Sequence, residues 1–466
     1  MYIACQSRDG NLDDFFKHEN HPYPPSLSVN GDLRYGTKSD LLDCLCCNAQ
    51  NTTDLSDITS DAVIFDGAVV VQMLQPGCSK TFAEYRANIF FPYLQSHLHA
   101  VQRVDVVFDQ YLPNSLKQST RDKRSSGVRS RISETTKMPS NWQQFLRVNE
   151  NKVDLFHFLT DLPFTDIGNK TLLMTYDDTI VHFGAVVDTE DISPCAHEEA
   201  DTRLILHCFH AAKCGHRHVI IRTVDTDVVV LAVSFFERML LTKLWIHFGV
   251  GRNTRVIAVH DVVRVLGTPR CCALPVFHAF SGCDTVSSFA GKGKKSAWNA
   301  WNAFPEVTDT FLQLTAGADI NDTVMSVLER FVIIMYDRTT DVDDLNSARR
   351  HFFTKRFKSV ELLPPTSDAF LQHIRRTVFQ AVRIWGQSLN KQPLCYKPGD
   401  WGWVQQDNSG KWIPLWMTLP EVSKVCSELI HCSCKKSCTG RCKCVKANLT
   451  CTALCSCDGE CSRLTE

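Results

Sequence analysis

The chain is predicted to be an α/β protein: a mainly parallel central sheet flanked by helices, then a helical extension, then a small C-terminal metal-cluster module. Three observations predict this. Short apolar runs that end in acidic residues alternate with helical-length segments between 61 and 300, a helical pattern resumes beyond 320, and the final stretch is too rich in cysteine and lysine to form a hydrophobic core. The 466 residues, 44% hydrophobic and 22% charged, are enough for a large core and two or three units. The divisions expected are 1–60, a loosely ordered leader; 61–330, the α/β domain; 331–425, a helical extension with a Trp-rich hairpin; and 426–466, the cysteine-rich module.

The leader is rich in Asn, Asp, Ser and Pro. Its Cys44, Cys46 and Cys47 have no partner half-site and read as ordinary thiols. Met1 to Asp14 lack the apolar core of a secretion signal, and no uncharged apolar run is long enough for a bilayer, so a reducing compartment, nucleus or cytosol, is expected.

In the body, Ala62-Val-Ile-Phe65 runs into Asp66, Val104-Asp-Val-Val-Phe108 into Asp109, and Val219-Ile-Ile-Arg-Thr-Val224 into Asp225-Thr-Asp227. Helical-length segments, Thr81 to Leu98 and Glu198 to Lys213, separate them. Strands alternating with helices give a parallel sheet, and ligands of such sheets sit beyond the carboxyl ends of the strands, where Asp66, Asp109 and Asp225 fall. Asp225 and Asp227, two apart, point to one side if extended. Glu198, Glu199 and Asp201 make an acidic first turn ahead of the stripe Ala200, Leu204, Cys208 and Ala211; helix-dipole compensation explains part of it. Asp284 follows another short apolar run.

Gathered on one rim, these acids need cationic neutralisation. Oxygen donors with few histidines suit Mg²⁺ or Mn²⁺, and two such ions would serve the attacking water and the leaving oxygen of a phosphodiester. A net charge of −1 gives no whole-molecule attraction to nucleic acid, so basic surface must be local. One such stretch is Lys117, Arg121, Lys123, Arg124, Arg129 and Arg131, interspersed with Ser and Gly, read as a basic loop over a strand of nucleic acid or as a solvated surface loop. Gly291-Lys292-Gly293-Lys294-Lys295 is not a P-loop, because Ser288 and Lys295 stand where Gly and Ser/Thr are required.

Helices are expected over Asp322 to Tyr336 and Ser367 to Leu389, extending the body's core. Trp401, Trp403, Trp412 and Trp416 flank a turn, read as a small hairpin buttressing the tail. The tail carries Cys432, Cys434, Cys438, Cys442, Cys444, Cys451, Cys455, Cys457 and Cys461, with Lys435, Lys436, Arg441 and Lys443 among them. Nine thiolates fill the twelve tetrahedral positions of three Zn²⁺ ions when three of them bridge. An odd count speaks against a disulfide knot. The lysines and arginine balance the cluster and leave a surface able to meet phosphate.

The tail resembles the tesmin/TSO1-like CXC domain, which implies three zinc ions and DNA binding. Thr439-Gly440-Arg441 replaces the tyrosine-containing spacing of that family. The body, over about 61–300, resembles the flap-endonuclease/XPG-type branch of the PIN-like nucleases. The resemblance rests on Ile64-Phe-Asp66, Val106-Val-Phe-Asp109, Lys117 and Arg124, His197-Glu-Glu-Ala-Asp201, Asp225-Thr-Asp227 and Gly282-Cys-Asp284. It implies a Mg/Mn shell of Asp66, Asp109, Glu198, Glu199, Asp225, Asp227 and Asp284, Lys117 and Arg124 at the scissile phosphate, and Gly291 to Lys295 on the duplex backbone. His197-Glu198-Glu199 departs from that family's acidic spacing, so which of Glu198, Glu199 and Asp201 ligates stays open. The segment Leu172 to Phe183 reads as an inserted β-hairpin. Two functions follow: a metal-dependent nuclease, on DNA more than RNA, with a zinc-bearing grip; or a catalytically inert DNA- or chromatin-binding protein, with derivation from a mobile element as one form of that alternative.

Overall fold

The computed structural model describes residues 8, 11–46, 58–112, 115–118, 121, 127–161, 167–356, 359–406, 410–425, 429–435 and 438–457. A seven-stranded sheet lies at the centre. Its strands are β1 (Ala62–Asp66), β2 (Arg103–Val107), β3 (Thr171–Tyr176), β4 (Thr179–Gly184), β5 (His218–Thr223), β6 (Lys243–Phe248) and β7 (Arg255–Ala258). Their order is β4-β3-β2-β1-β5-β6-β7. Pairings β1/β2, β1/β5, β2/β3 and β5/β6 are parallel, and the edge strands β4 and β7 run antiparallel to their neighbours. The hairpin expected over 172–183 is β3 and β4, turned at Asp177 with φ 49°.

Alternation along β1 divides the core between the two faces. Ala62 and Ile64 join one apolar cluster with helices α5 (Ala200–Lys213) and α6 (Thr226–Phe235). Val63 and Phe65 join another with Phe82, Tyr85, Leu94, Trp142 and Leu155. The first cluster continues without a break into α8 (Thr268–Phe280), α11 (Asp322–Tyr336) and α13 (Ser367–Val378), so the helices beyond 330 extend the body's core as expected. Among the described residues no helix is long and apolar enough to cross a membrane.

The face of β2 toward α5 carries ions at Arg103 and Asp105 beside the apolar Val107. Arg103 Nε and Nη2 donate to Asp105 Oδ1 and Oδ2, each at 2.7 Å, and His207 Nδ1 meets Asp105 Oδ2 at 2.7 Å. All three side chains are fully buried. Removing one partner strands the opposite charge in an apolar layer, so Asp105→Ala is expected to cost about 3–5 kcal/mol, measurable by urea unfolding.

Two expectations are revised here. Part of the leader is packed: Leu27, Leu41 and Leu42 are fully buried in the main core, the last two because α1 (Asp40–Cys46) presents its leucines to α9 (Lys294–Ala303) and to α7 (Val259–Leu266). Glu19, buried, pairs with Arg349 at 3.2 Å and ties the N-terminal segment to the helical extension. The Trp hairpin, Trp403–Gln405 with Trp412–Pro414, is expected to buttress the cysteine module; the contacts it makes among the described residues include helix α13. Arg376 of α13 donates to Gly402 O and Leu415 O and lies 5.0 Å over the Trp416 ring.

Candidate functional site

Each acid reaches the rim by a local structural rule. Asp66 ends β1 and caps α2 (Gly67–Met73): its Oδ1 accepts from Val69 N at 3.2 Å and its Oδ2 from Thr223 Oγ1 at 3.1 Å. Gly67 must follow it, since a Cβ there would lie 2.2 Å from the Phe108 ring. Burial pushes the Asp66 carboxyl up to about 7, and the neighbouring charge of Asp109 adds to the effect. Asp109, two residues beyond β2, accepts from Ala200 N at 2.9 Å, while Gln110 N donates to Glu198 O at 3.0 Å. These two bonds join the end of β2 to the start of α5.

Asp225 and Asp227 are not extended as expected. Asp225 is the N-cap of α6 and accepts from Asp227 N at 2.9 Å, so capping geometry brings the two carboxylates to one side. Burial, with the Asp227 charge next, raises Asp225 to about 6. Burial opposes ionisation of Asp227 as well, but Lys38 and His278 outweigh it and hold this carboxyl far below its ordinary range. His278 Nε2 lies 2.9 Å from Asp227 Oδ1; burial keeps the imidazole neutral, down at about 4, so the contact is an N–H donating to a carboxylate. Asp284 follows the tight turn at Gly282, where φ is +109° and a Cβ would meet Ser288 at 2.8 Å.

The acidic turn divides its members. Glu198 pairs outward with Arg121. Glu199, the N-cap of α5, pairs with Lys117 at 2.6 Å. Asp201 turns inward, so that one oxygen each from Asp201, Asp225 and Asp227 lie within 4.8 Å of one another. Burial first, then the charge of Asp225, pushes Asp201 well above its ordinary value. The residue is 8% exposed, and its carboxylate accepts no hydrogen bond among the described residues.

Sequence reasoning did not single out Lys38 or His278. Lys38 Nζ lies 3.3 Å from Asp225 Oδ1, 3.1 Å from Asp227 Oδ2 and 3.2 Å from Asp284 Oδ1. Burial works against its charge, yet the surrounding carboxylates raise its affinity for the proton.

The basic residues are placed unevenly. Arg129 is exposed and pairs with Asp154 at 3.1 Å, and Arg131 is exposed. Lys123 and Arg124 lie outside the described residues. In the glycine-lysine turn, Gly291 adopts φ +66° and Lys292 lies over the Tyr336 ring. Lys294 faces inward, donating to Ser281 Oγ at 3.0 Å, and burial lowers it to about 7; Lys295 pairs with Asp43 at 3.0 Å. Gly293 is unobstructed.

A second centre lies in the tail. Cys432, Cys444, Cys451 and Cys455 form one group of converging sulfurs, and Cys432, Cys438, Cys442 and Cys451 form another. Sγ separations are 3.6 Å for Cys432–Cys438, 3.5 Å for Cys438–Cys451, 3.8 Å for Cys432–Cys457 and 3.6 Å for Cys444–Cys455. A disulfide needs about 2.05 Å; a Zn–S bond of about 2.3 Å puts the sulfurs of a tetrahedral site about 3.8 Å apart. Cys432 and Cys451 belong to both groups, the sharing that bridging thiolates require. Cys434 is half-buried at the edge of the cluster. Cys461 and Lys436 lie outside the described residues. Lys435, Arg441 and Lys443 are exposed around the cluster. Arg8, from the opposite end of the chain, donates to Ile430 O at 2.8 Å and reaches Cys444 Sγ at 3.5 Å.

No family model matches the sequence, and no curated protein matches it. Sixteen chains of solved structures do match. Three are catalytic cores of Rad2 in complex with DNA substrate. Complex IV is 14% identical with a TM-score of 0.35, over 73% of this chain and 100% of that one. Complex II has the same identity, 14%, and the same TM-score, 0.35, over 76% and 97%. Complex III is 13% identical at 0.35, over 70% and 97%. Likeness at this level says nothing of activity or substrate.

Proposed function

We propose that the protein is a metal-dependent nucleic-acid phosphodiesterase, acting on DNA before RNA, whose cysteine-rich tail holds zinc and adds affinity. The observation that carries this reading is the convergence of Asp66, Asp109, Glu199, Asp201, Asp225, Asp227 and Asp284 beyond the carboxyl ends of parallel strands, beside Lys117. The donor set is all oxygen, which suits Mg²⁺ or Mn²⁺, and Asp201, a buried residue, turns into it a carboxylate that accepts no hydrogen bond among the described residues. A bound divalent ion would polarise the phosphodiester and lower the pKa of the attacking water. The chain's own part is to hold the acids: His278 fixes Asp227, Thr223 and Val69 N fix Asp66, and Ala200 N fixes Asp109. Lys117, held at the rim by Glu199, is the cation beside which a phosphate would be oriented. The flap-endonuclease/XPG-type resemblance of 61–300 supports the same reading.

Full-length protein with Mg²⁺ or Mn²⁺ is expected to cut end-labelled branched or flapped DNA, and EDTA to stop it. Inertness on branched, flapped and single-stranded DNA with either metal would leave the second reading, a DNA-binding protein without catalysis. That reading has its own observation, since Lys38 already neutralises part of the rim.

For the tail, a mercurial that displaces thiolate ligands is expected to release zinc from the purified chain, read with a colorimetric chelator. DNA affinity should then fall and lose part of its salt dependence. Release of no zinc removes the metal from this reading and leaves the thiols as packing groups.

A further inference from the structure

The acidic rim contains a cation supplied by the chain itself. Lys38 enters from a segment anchored on both sides. Upstream, Ser288 N and Oγ donate to Arg34 O at 2.7 and 3.1 Å. Downstream, α1 buries Leu41 and Leu42 completely and is tied to α9 through Asp43 and Lys295. The ammonium is therefore part of the packed structure. Its three N–H donors face three carboxylates, those of Asp225, Asp227 and Asp284, at 3.1–3.3 Å.

Some carboxylate oxygens beside Lys38 are left over. Asp227 is used on both oxygens, by Lys38 and by His278. Asp225 Oδ1 serves Lys38 and Asp227 N. Asp225 Oδ2 and both oxygens of Asp201 accept no hydrogen bond among the described residues, and Asp201 is nine-tenths buried with its carboxylate turned toward the pair. These oxygens, from Asp201 and Asp225, are the donors that Lys38 leaves for a hard cation.

We infer that Lys38 is a resident cation occupying one of the two positions that a two-ion phosphodiesterase would fill, so that this site takes a single divalent ion, on Asp201 and Asp225. The inference rests on the metal-dependent reading above and deepens it. An ammonium is a compact point charge whose three donors are spent on the carboxylates, so Lys38 neutralises the rim, whereas activating water falls to the divalent ion.

The test is Mn²⁺ stoichiometry of the full-length, zinc-loaded protein, followed by the electron paramagnetic resonance of free Mn²⁺. Expected are one bound ion in wild type, one in Lys38→Arg and two in Lys38→Met, with circular dichroism confirming the fold of each. Asp201→Asn should lose the ion and Asp284→Asn should keep it. Two ions in wild type would overturn the inference while leaving the metal-dependent reading intact, and this arm does not depend on any variant folding. No ion in wild type but one in Lys38→Met would also overturn it, making Lys38 a plug. No ion in any form would sink both readings together.

Discussion

Asp227→Asn is expected to lower metal-dependent cleavage by at least about 10²–10³-fold, the scale of losing one preorganised electrostatic group in a water-poor site. Asp227 is 1% exposed and serves two cationic or N–H partners at once, Lys38 at 3.1 Å and His278 at 2.9 Å. An asparagine has one acceptor oxygen and one NH₂ group. If its oxygen accepts from His278, the NH₂ faces the ammonium of Lys38, and donor meets donor. If it turns over, the clash moves to His278, which is neutral and offers Nε2–H. Either way Lys38 is driven from its carboxylates and the rim loses its geometry. Stability should fall as well, because a carboxyl held far below its ordinary range stabilises the fold in its charged form, and relief of repulsion toward Asp225 and Asp284, which share the same ammonium, offsets only part of that loss. Single-turnover cleavage of flapped DNA against a melting curve separates the two effects. Unchanged cleavage in a folded Asp227→Asn would remove Asp227 from the machinery. His278→Gln is the milder companion: it can keep a donor at the Nε2 position and should lose far less.

The strands and the acids at their ends were legible in the sequence because both faces of this sheet are buried. Ala62 to Phe65 and Val219 to Ile221 therefore read as unbroken apolar runs, and the polarity change at Asp66 and Asp225 marks where each strand leaves the core. The acidic turn was legible as a cluster, but its directions were not. Neighbouring helical positions point about 100° apart, and it takes the bond from Ala200 N to Asp109 to settle that Asp201 faces in while Glu198 faces Arg121. Lys38 could not be found by motif, since it lies 187 residues from Asp225 in a polar stretch that reads as leader. One signal did exist: the leucines at 41, 42 and 45 follow Lys38-Ser-Asp40 with helical spacing, marking a buried helix directly after it. Lys294 illustrates the converse, a lysine in a basic run that the fold turns into the core.

Acidification is expected to destabilise the protein between about pH 6.5 and 4 through histidines buried in the neutral form. His207 is fully buried; desolvation lowers it to about 4, Arg203 and Arg103 push the same way, and Asp105 only partly opposes them. His373, also fully buried, is lowered to about 3 by burial and then by Arg376. With a folded pKa below the ordinary value of about 6.5, the unfolded chain binds the extra proton first. The stabilisation is complete above pH 6.5 and is lost as pH falls toward 4, at about 1.4 kcal/mol per pH unit for each histidine. The raised acids have the opposite sign: Asp66 at about 7, Asp225 at about 6 and Asp201 hold their protons in the folded state and gain stability over the same fall, so the histidine contribution is read from the variant and not from the total. The depressed Asp105 contributes only below its unfolded value of about 3.9, outside this window. The histidine contribution is isolated by His207→Asn, whose side-chain amide can keep the donation that Nδ1 makes to Asp105 and cannot titrate. Urea unfolding at several pH values should give the variant a shallower decline by about 1.4 kcal/mol per unit. Parallel profiles for variant and wild type would show that the ion layer on β2 is maintained without a neutral His207.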